Sequence, residues 1–239
     1  MLLYGKNSVI ERLRAAPATM RQLFLCEDFD DPAVMEVIRK SGVKVQRLAD
    51  KKFARFRPGE NLQGITAEVE EFQYADLQDL LENKKLVPIF LDRVFDPQNL
   101  GAIMRSAACF GGFGIVIPGH KACSVTETVL KVACGAENYL PVAQPANLTN
   151  AILEAKERGF WIAGAGADAD KDISREILPF PLALVLGSEG EGVRYGVDKH
   201  LDLRLRIPMP GAGLSLNVAQ ACAICCYEIV RQRNITVDP

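Results

Sequence analysis

Histidine is scarce in this chain, with two among 239 residues, His120 and His200. With so few, no set of serine, histidine and aspartate that could form a hydrolase triad is recognisable. A histidine-rich metal site is excluded for the same reason. The seven cysteines are irregularly spaced, which is not the pattern of a disulfide framework. We therefore expect buried free thiols and no bound metal.

Long apolar runs are also missing. No stretch approaches the roughly 20 residues of a membrane-spanning helix, and the opening, MLLYGKNSVIERLR, becomes polar too soon for a signal peptide. The formal net charge is −2, which argues against a general nucleic-acid-binding protein. With 49% hydrophobic and 24% charged residues, the composition predicts a packed globular protein, and we expect it in the cytoplasm, away from membranes.

The usual glycine signatures of nucleotide sites are absent. FGGFG at 110–114 precedes a predicted strand instead of following one, and GAGAD at 164–168 lacks a third glycine. GSEGEG at 187–192 lacks the Lys-Ser or Lys-Thr ending of a phosphate loop. These differences argue against a Rossmann NAD site and against a P-loop NTPase.

Short apolar runs alternate with helix-like patterns along the chain. The first part predicts a helix over 4–14, a strand over 21–27, a helix over about 31–40 and further short elements ending near residue 71. A polar connecting helix over 75–85 and a longer α/β series follow, closed by a helix over about 215–231. Continuously apolar strands that alternate with helices indicate an α/β fold with a mainly parallel, doubly covered sheet.

Three predicted strand ends carry polar residues and glycine. They lie in LDRVFDPQNLGAIMRSA at 91–107, in LALVLGSEGEGV at 182–193, and in IPMPGAGLSLNVAQA at 207–221. Each has an ordinary structural explanation when taken alone, for example Asn99 as the cap of a helix that opens near it. Because ligands of parallel sheets bind beyond the carboxyl ends of the strands, three such ends on one sheet indicate a binding site.

Basic residues cluster between positions 39 and 57. That stretch holds eight lysines and arginines against one acidic residue, Asp50, with Phe53 and Phe56 between them. Two interpretations stay open: a solvated face with two core aromatics, or a local patch that binds phosphate groups. For the second, the candidate RNA-binding residues are Lys51, Lys52, Arg55 and Arg57.

Together, DPQNLGAIMRSA, LVLGSEGEGV and IPMPGAGLSLNVAQA resemble the three motifs of the SpoU/TrmH family of RNA ribose methyltransferases, in the expected order and spacing. KVACGAENYLPVAQPANL at 131–148, YGKNSVIERL at 4–13 and GENLQGITAEV at 59–69 resemble its bacterial 23S rRNA guanosine-2′-O-methyltransferase branch. The resemblance extends over most of the chain.

The resemblance implies a fold that composition could not have indicated. It implies a ribosomal-protein-like α/β substrate-binding domain over 1–72, a linker over 73–86, and a parallel-sheet domain with a deep trefoil knot over 87–239. Knots are otherwise nearly absent from proteins. It also implies an obligate homodimer, S-adenosylmethionine as methyl donor and RNA as substrate.

The resemblance also assigns residues to the reaction. The residues that it implies for cofactor binding, mostly through backbone groups, are Leu186, Gly187, Ile207, Met209 and Leu216. Those that it implies for the catalytic site are Asn99, Arg105, Glu189, Ser215 and Asn217. Because arginine stays protonated, we expect Arg105 to bind the neighbouring phosphate and polarise the ribose hydroxyl. Asn99 and Glu189 would orient Arg105 or the ribose, and no metal is required.

Two positions depart from the family pattern. Leu62 stands where the branch commonly has histidine, and if that histidine touches the substrate we expect different contacts to RNA here. Gln220 interrupts the small residues that usually follow SLNV, and facing solvent or the dimer partner would explain it. Two other functions stay open: a tRNA ribose methyltransferase of the same family, and an RNA-binding or ribosome-assembly factor without catalysis.

Overall fold

The computed structural model describes residues 1–188, 190 and 192–237, with side chains described as far as Arg233. The chain forms two compact units. The first comprises Met1–Gln73 together with Val125–Tyr139, and the second comprises Tyr74–Ser124 and the chain from Leu140 onward. The predicted boundaries at 72 and 87 remain predictions, and the contacts assign Val125–Tyr139, from within the predicted C-terminal domain, to the first unit.

The described residues form strands and helices in regular alternation. The strands are β1 Leu2–Tyr4, β2 Met20–Cys26, β3 Val45–Leu48, β4 Ile65–Val69, β5 Val87–Asp92, β6 Phe113–Val116, β7 Val142–Ala143, β8 Trp161–Ala165, β9 Lys171–Asp172, β10 Leu182–Gly187 and β11 Leu203–Arg206. The α-helices are α1 Lys6–Ala15, α2 Pro32–Ser41, α3 Asp50–Phe53, α4 Leu77–Glu82, α5 Pro97–Phe110, α6 Glu127–Ala133, α7 Leu148–Glu157, α8 Tyr195–Asp198 and α9 Val218–Val237. The predicted α/β class is confirmed.

The first unit is built on a four-stranded mixed sheet in the order β1-β4-β2-β3. β1 and β2 pair antiparallel with β4, and β3 pairs parallel with β2. The expected helix over 4–14 was wrong at its start, because Leu2–Tyr4 pairs with β4 and the helix begins after Gly5. Gly5 has φ 89°, a conformation that suits glycine and separates the two elements.

Leu62, which departs from the family pattern, is a core residue of the first unit. Its side chain is 5% exposed and clusters with Tyr4, Phe24 and Phe53. Phe56 packs against the same cluster, with its ring centroid 4.7 Å from that of Phe24. The two aromatics of the basic stretch therefore serve the core.

The second unit contains a seven-stranded parallel sheet in the order β7-β6-β5-β10-β8-β11-β9. The central strands β5 and β10 are almost wholly buried, as their continuous apolar runs predict. The predicted parallel sheet is confirmed. The connecting helix is less polar than expected, because Leu80 and Leu81 of α4 pack into the core beside Phe90.

Helix starts in the second unit are set by side chains that cap them. The side chain of Asp96 accepts a hydrogen bond from the backbone N–H of Gln98, and Pro97 occupies the first turn of α5. Asn147 caps α7 in the same way through the N–H of Asn150. Asn99 is therefore not the cap of α5 but a residue of its first turn, with its side chain available for other contacts.

Within the described ranges, none of the helices combines the length and apolar content that crossing a membrane would need.

Candidate functional site

The carboxyl ends of the parallel strands form one edge of the sheet in the second unit. Gly187, the last residue of β10, lies in register with Asp92, the last residue of β5. Leu186 of β10 is in register with Ala165, the last residue of β8. The loops that leave these strands are therefore brought to one edge, where ligands of parallel sheets bind.

A pocket of about 470 Å³ opens at this edge, beyond β8, β10 and β11. Its volume is in the range of about 300 to 1,000 Å³ that is usual for small-molecule sites. Its walls come from four separated parts of the chain. The lining residues are Gly164–Ala169, Leu186–Ser188, Gly190, Gly192, Val193, Asp198, Leu201, Arg204, Ile207, Met209, Ser215, Leu216, Val218 and Ala221.

All five residues that the motifs suggested for cofactor binding line this pocket. Leu186 and Gly187 come from the end of β10, Ile207 and Met209 follow β11, and Leu216 precedes α9. Ser215, one of the suggested catalytic residues, lines it too. Their roles remain predictions, but three segments, spread over 30 residues of sequence from Leu186 to Leu216, converge on one cavity.

Gly187 is a glycine for a steric reason. A Cβ atom built on it would lie 2.0 Å from the carbonyl carbon of Gly192 and 2.3 Å from the nitrogen of Val193. Both contacts are with backbone, which cannot swing aside. The N–H of Gly192 donates to the carbonyl oxygen of Ser188 at 3.0 Å, so the chain folds back directly over the strand end. Any side chain at position 187 would push this loop away.

Asn217 lies at the start of α9 and makes two kinds of contact. Its Oδ1 accepts a hydrogen bond from the N–H of Ala219 at 2.8 Å, and its own N–H donates to Oε1 of Gln220 at 3.3 Å. This reciprocal pair is a capping box, which satisfies two backbone donors that a helix start leaves free. The capping box gives a structural role to Gln220, whose side chain accepts the hydrogen bond from Asn217. It also explains why α9 begins at Val218 and not at the expected residue 215.

The same side chain also reaches the first motif. Nδ2 of Asn217 donates to Oδ1 of Asn99 at 2.9 Å, which joins the beginning of α9 to the first turn of α5. Arg105 lies six residues further along α5, about 9 Å along the helix axis, and its side chain is exposed. Glu189, the remaining suggested catalytic residue, lies outside the described residues.

An ion pair between a buried carboxylate and a partly exposed arginine supports the strand ends. The side chain of Asp92 is fully buried, and its Oδ1 accepts a hydrogen bond from Nε of Arg194 at 2.7 Å. Its Oδ2 accepts from the backbone N–H of Arg194 at 2.9 Å. A buried carboxylate that loses its partner is strongly destabilising. The pair therefore fixes the chain beyond Val193 to the end of β5.

Two groups of pocket residues were missed by the motifs. One is Gly164–Ala169, which comprises the end of β8 and the residues after it; its GAGAD sequence was set aside because it lacks a dinucleotide signature. The other is the pair Asp198 and Arg204, where Nε and Nη2 of the guanidinium donate to the two carboxylate oxygens at 3.0 and 2.8 Å. That hydrogen-bonded arginine lowers the pKa of Asp198 and keeps it ionised. Only the position of GAGAD after an apolar strand could have indicated the first group.

The four basic residues suggested for RNA binding differ in their exposure and contacts. Lys51, Lys52 and Arg55 are exposed. Arg57 instead donates to the hydroxyl of Tyr4 at 2.9 Å and lies 3.5 Å from a carboxylate oxygen of Glu127. Arg57 is therefore partly committed to contacts inside the unit, and the first three are better placed to bind an external anion.

The cysteines are free, as expected, but not all are buried. Cys222, Cys225 and Cys226 lie buried on α9, whereas Cys109 is exposed on α5. Burial raises the pKa of Cys225 to about 12, so this thiol is unreactive near neutral pH. Within the described residues, no group of three or more His, Cys, Asp or Glu side chains is placed to hold a metal ion.

The second unit is thus an α/β domain that presents a ligand-sized pocket at the carboxyl edge of a parallel sheet. A model of the SpoU rRNA methylase family matches residues 87–227, and a model of the RNA 2′-O ribose methyltransferase substrate-binding domain matches residues 2–75.

Relatives match over nearly the whole chain. A protein of Bacillus subtilis assigned to the TrmH family of tRNA/rRNA methyltransferases is 39% identical over 96% of this chain and 95% of its own length. The 23S rRNA (guanosine-2′-O-)-methyltransferase RlmB of Pseudomonas aeruginosa is 36% identical over 97% of this chain and 96% of its own. The SpoU methyltransferase AviRb of Streptomyces viridochromogenes, crystallised with AdoMet, shares the fold, with a TM-score of 0.80 at 24% identity over 98% of this chain and 91% of its own.

The chain belongs to the SpoU methylase family and carries that family's RNA substrate-binding domain. It is an enzyme, an RNA methyltransferase, and the resemblance seen in the motifs is confirmed.

Proposed function

We propose that this enzyme transfers a methyl group from S-adenosylmethionine to the ribose 2′-hydroxyl of a guanosine in 23S rRNA, and that it works in the cytoplasm as a homodimer. The observation that carries the proposal is the convergence of Leu186, Gly187, Ile207, Met209 and Leu216 on one pocket, with Ser215 among its lining. The near-complete match to a relative named for this guanosine activity supports the choice of substrate.

The pocket fits S-adenosylmethionine by volume and by chemistry. Leucine, isoleucine and methionine offer no nitrogen or oxygen in their side chains, so polar contacts from these residues to the cofactor come from their backbone groups. The missing side chain at Gly187 makes room for the backbone of Gly192, which a Cβ would strike, so the loop that walls the pocket can close over the strand end. When bound, the cofactor supplies a methyl group on a sulfonium, which is already strongly electrophilic.

The protein's own contribution is to position the hydroxyl and help it lose its proton. Holding a nucleophile in line with a reactive bond is worth up to about 7 to 11 kcal/mol of the barrier. We assign Arg105 to the phosphate next to the target ribose and to polarising the hydroxyl, because a guanidinium does not act as a base at neutral pH. Asn99, held by Asn217 at 2.9 Å, orients the ribose or Arg105. Glu189 shares that orienting role, and Ser215 supports the methionine end of the cofactor.

Prolines stiffen the loop between β11 and α9. Pro208 and Pro210 have fixed φ angles and donate no hydrogen bonds, which limits how the loop can move. We propose that this loop forms part of the deep trefoil knot of the family. In that arrangement the cofactor loop keeps its bent shape before the ligand binds, which lowers the entropic cost of binding.

A second copy of the chain is proposed to cover α9. This helix is apolar on more than one face: Cys222, Cys225 and Cys226 are buried, while Ile224 and Tyr227 are 39% and 57% exposed. A helix that is apolar all round is normally buried on all sides. The exposed Tyr227 ring stacks edge-on against Phe110 of α5 at 6.3 Å, which extends the apolar surface onto the neighbouring helix.

RNA is proposed to bind the first unit through Lys51, Lys52 and Arg55, with a smaller contribution from Arg57. They belong to the stretch 39–57, where basic residues outnumber acidic ones, although the whole chain has a net charge of −2. A tRNA substrate is the second candidate, favoured by the broader name of the Bacillus relative. The substrate-binding domain at residues 2–75 favours rRNA, as a full-length relative named for 23S rRNA has the same extent.

The experiment that tests the proposal is mass-spectrometric mapping of ribose methylation in rRNA and tRNA from cells with and without this protein. We expect one 2′-O-methylguanosine of 23S rRNA to disappear in its absence and to return with the wild-type gene but not with Arg105→Ala. Loss of a tRNA modification instead would select the second candidate. Unchanged methylation in both RNAs would favour the non-catalytic assembly factor and would refute the proposal.

A further inference from the structure

A second, smaller cavity lies at the carboxyl edge of the same sheet, beyond β5, β6 and β7. Its volume is about 180 Å³, below the usual range for whole small-molecule ligands. The residues that line it are Arg93, Pro118, His120, Lys121, Ala146, Asn147, Leu148, Thr149 and Arg194. The reaction as proposed above uses none of them.

The lining is strongly basic. Arg93, His120, Lys121 and Arg194 all contribute to it, and none of the lining residues is acidic. The nearest carboxylate in sequence, Asp92, is already bound to Nε and to the backbone N–H of Arg194. Within the described chain, the two terminal nitrogens of the Arg194 guanidinium make no hydrogen bond. They remain able to donate to a ligand.

Backbone donors complete the basic lining. The cavity contains the first two residues of α7, Leu148 and Thr149, and the side chain of Asn147 satisfies only the N–H of Asn150. In the described part of the chain, the N–H groups of Leu148 and Thr149 find no acceptor. Free N–H groups at a helix start carry partial positive charge and bind phosphate oxygens well.

Two of the basic residues are held in an unfavourable backbone conformation. Arg93 has φ 61° and Lys121 has φ 57°, in the left-handed region that residues with side chains rarely adopt. Such strain costs folding free energy, and strained residues cluster at functional sites. Among the described residues, only two others with side chains share it, Gln63 and Cys134, and both belong to the first unit.

The position of the cavity relates it to the methyl-transfer site. The first pocket occupies the strand ends of β10, β8 and β11, and the second occupies those of β5, β6 and β7, which follow on in the order of the sheet. Val193 lines the first pocket and Arg194 the second. Asn99 follows Arg93 by six residues, at the start of the helix that β5 leads into.

We propose that this cavity binds one phosphodiester group of the RNA substrate, close to the nucleotide that is methylated. The proposal rests on the proposed function for its ligand. The cavity is large enough for a phosphate group but small for a nucleotide, and its donors are those that phosphate oxygens prefer. A phosphate seated there would fix the strand beside the ribose, so that the 2′-hydroxyl meets the cofactor in a single orientation.

The test uses Lys121→Asn, because asparagine removes the charge and tolerates the left-handed backbone at this position. The matched control is Lys85→Asn, which removes an exposed lysine just before the amino end of β5. The probe is the 23S rRNA fragment that carries the mapped methylation site. It is prepared with uncharged methylphosphonate linkages, one at a time, around that nucleotide, and binding is measured across a salt series.

We expect Lys121→Asn to weaken binding of the unmodified fragment about fivefold to tenfold and to reduce the magnitude of the salt slope by about 0.7. One linkage should weaken binding to the wild-type chain and to Lys85→Asn but not to Lys121→Asn, as expected for two groups in direct contact. If every linkage affects all three proteins equally, the proposal is wrong. It is also wrong if the wild type and Lys121→Asn differ in their binding of inorganic phosphate but respond equally to every linkage. That result would indicate a site for a free anion.

Methyl transfer to the same fragment separates this proposal from the proposed function. If the ribose is methylated, but no methylphosphonate linkage changes binding in a way that depends on Lys121, only the phosphate site is overturned. If the effect of one linkage on binding depends on Lys121, but the ribose is not methylated, the phosphate site is supported and the assigned reaction is overturned. Cofactor binding to Lys121→Asn by calorimetry should equal that of the wild type, which shows that the variant is folded.

Discussion

The side-chain amide of Asn217 donates to the side-chain oxygen of Asn99 at 2.9 Å across 118 residues of sequence. The contact joins the first turn of α5, which follows the central strand β5, to the capping residue of α9, which follows the loop that lines the proposed cofactor pocket. Asn217 caps α9 at the same time. One side chain thus connects helix formation to the geometry of the proposed catalytic site.

The two roles of Asn217 can be separated by two substitutions. Asn217→Asp keeps an oxygen that caps α9 but cannot donate to Asn99, whereas Asn217→Ala loses both contacts. We expect Asn217→Ala to lower the free energy of unfolding by about 1 kcal/mol, and Asn217→Asp to change it by less than about 0.5 kcal/mol. Both should reduce methyl transfer at least tenfold. The measurements are denaturant unfolding and single-turnover methylation; full activity in Asn217→Asp would show that the contact to Asn99 is not needed.

Gly187→Ala should weaken cofactor binding, whereas an alanine at a glycine with open space around it should not. The new Cβ would lie 2.0 Å from the backbone of Gly192 and would displace the loop that forms the pocket wall. We expect the dissociation constant for S-adenosylmethionine, measured by calorimetry, to rise at least tenfold, which is about 1.4 kcal/mol. The matched control is Gly196→Ala on α8, where a Cβ meets nothing within 4 Å. Similar affinities for both variants would contradict the steric explanation.

Much of the fold was predictable because its signals are local. The apolar runs of β5 and β10 predict buried parallel strands, and their glycine and polar ends predict the edge where the pocket opens. The site residues were harder to place. Nothing local to Asn217 indicates Asn99 as its partner, since the contact depends on how α9 returns to α5. Gln220 looked irregular for the same reason, because its role as a reciprocal cap becomes visible only when the helix start is known.

Long-range pairing also explains the errors at element boundaries. Leu2–Tyr4 was predicted in part as helix because the following residues have helical periodicity, but pairing with β4 makes it a strand. The basic cavity beyond β6 was not predicted at all. Its arginines and lysine are separated by 28 to 101 residues in sequence, and only the order of the strands brings them together.

Arg105→Ala should stop methyl transfer and leave the cofactor site intact. Arg105 lies on α5 and is not among the residues that line the pocket. We expect S-adenosylmethionine affinity within a few-fold of the wild type and turnover reduced at least a hundredfold, about 2.7 kcal/mol of lost transition-state stabilisation. Arg175→Ala serves as a control, since that side chain is 85% exposed. Unchanged turnover on RNA would remove Arg105 from the mechanism.

Neutralising Lys51, Lys52 and Arg55 together should weaken RNA binding and flatten its dependence on salt. Three phosphate contacts would account for about 2 units of the salt slope, given roughly 0.7 per contact for a single strand. The control, Arg39→Gln with Lys40→Gln, removes two basic residues of the same stretch that already pair with Glu36. Fluorescence anisotropy across a salt series gives both slopes. Equal slopes for wild type and the triple variant would identify the cluster as an ordinary solvated face.

The exposed apolar side of α9 leads to a prediction about assembly. Ile224 is 39% exposed beside Tyr227, and a charge placed there would be buried without a partner if a second copy packs on this face. We expect the wild-type chain to sediment as a dimer and Ile224→Asp to sediment as a monomer, or as a dimer at least a hundredfold weaker. Val45→Asp places the same charge at a side chain that is also 39% exposed, on β3 of the first unit, and should remain dimeric. A monomeric wild-type chain, or a dimer indifferent to Ile224→Asp, would show that a second copy does not cover this helix.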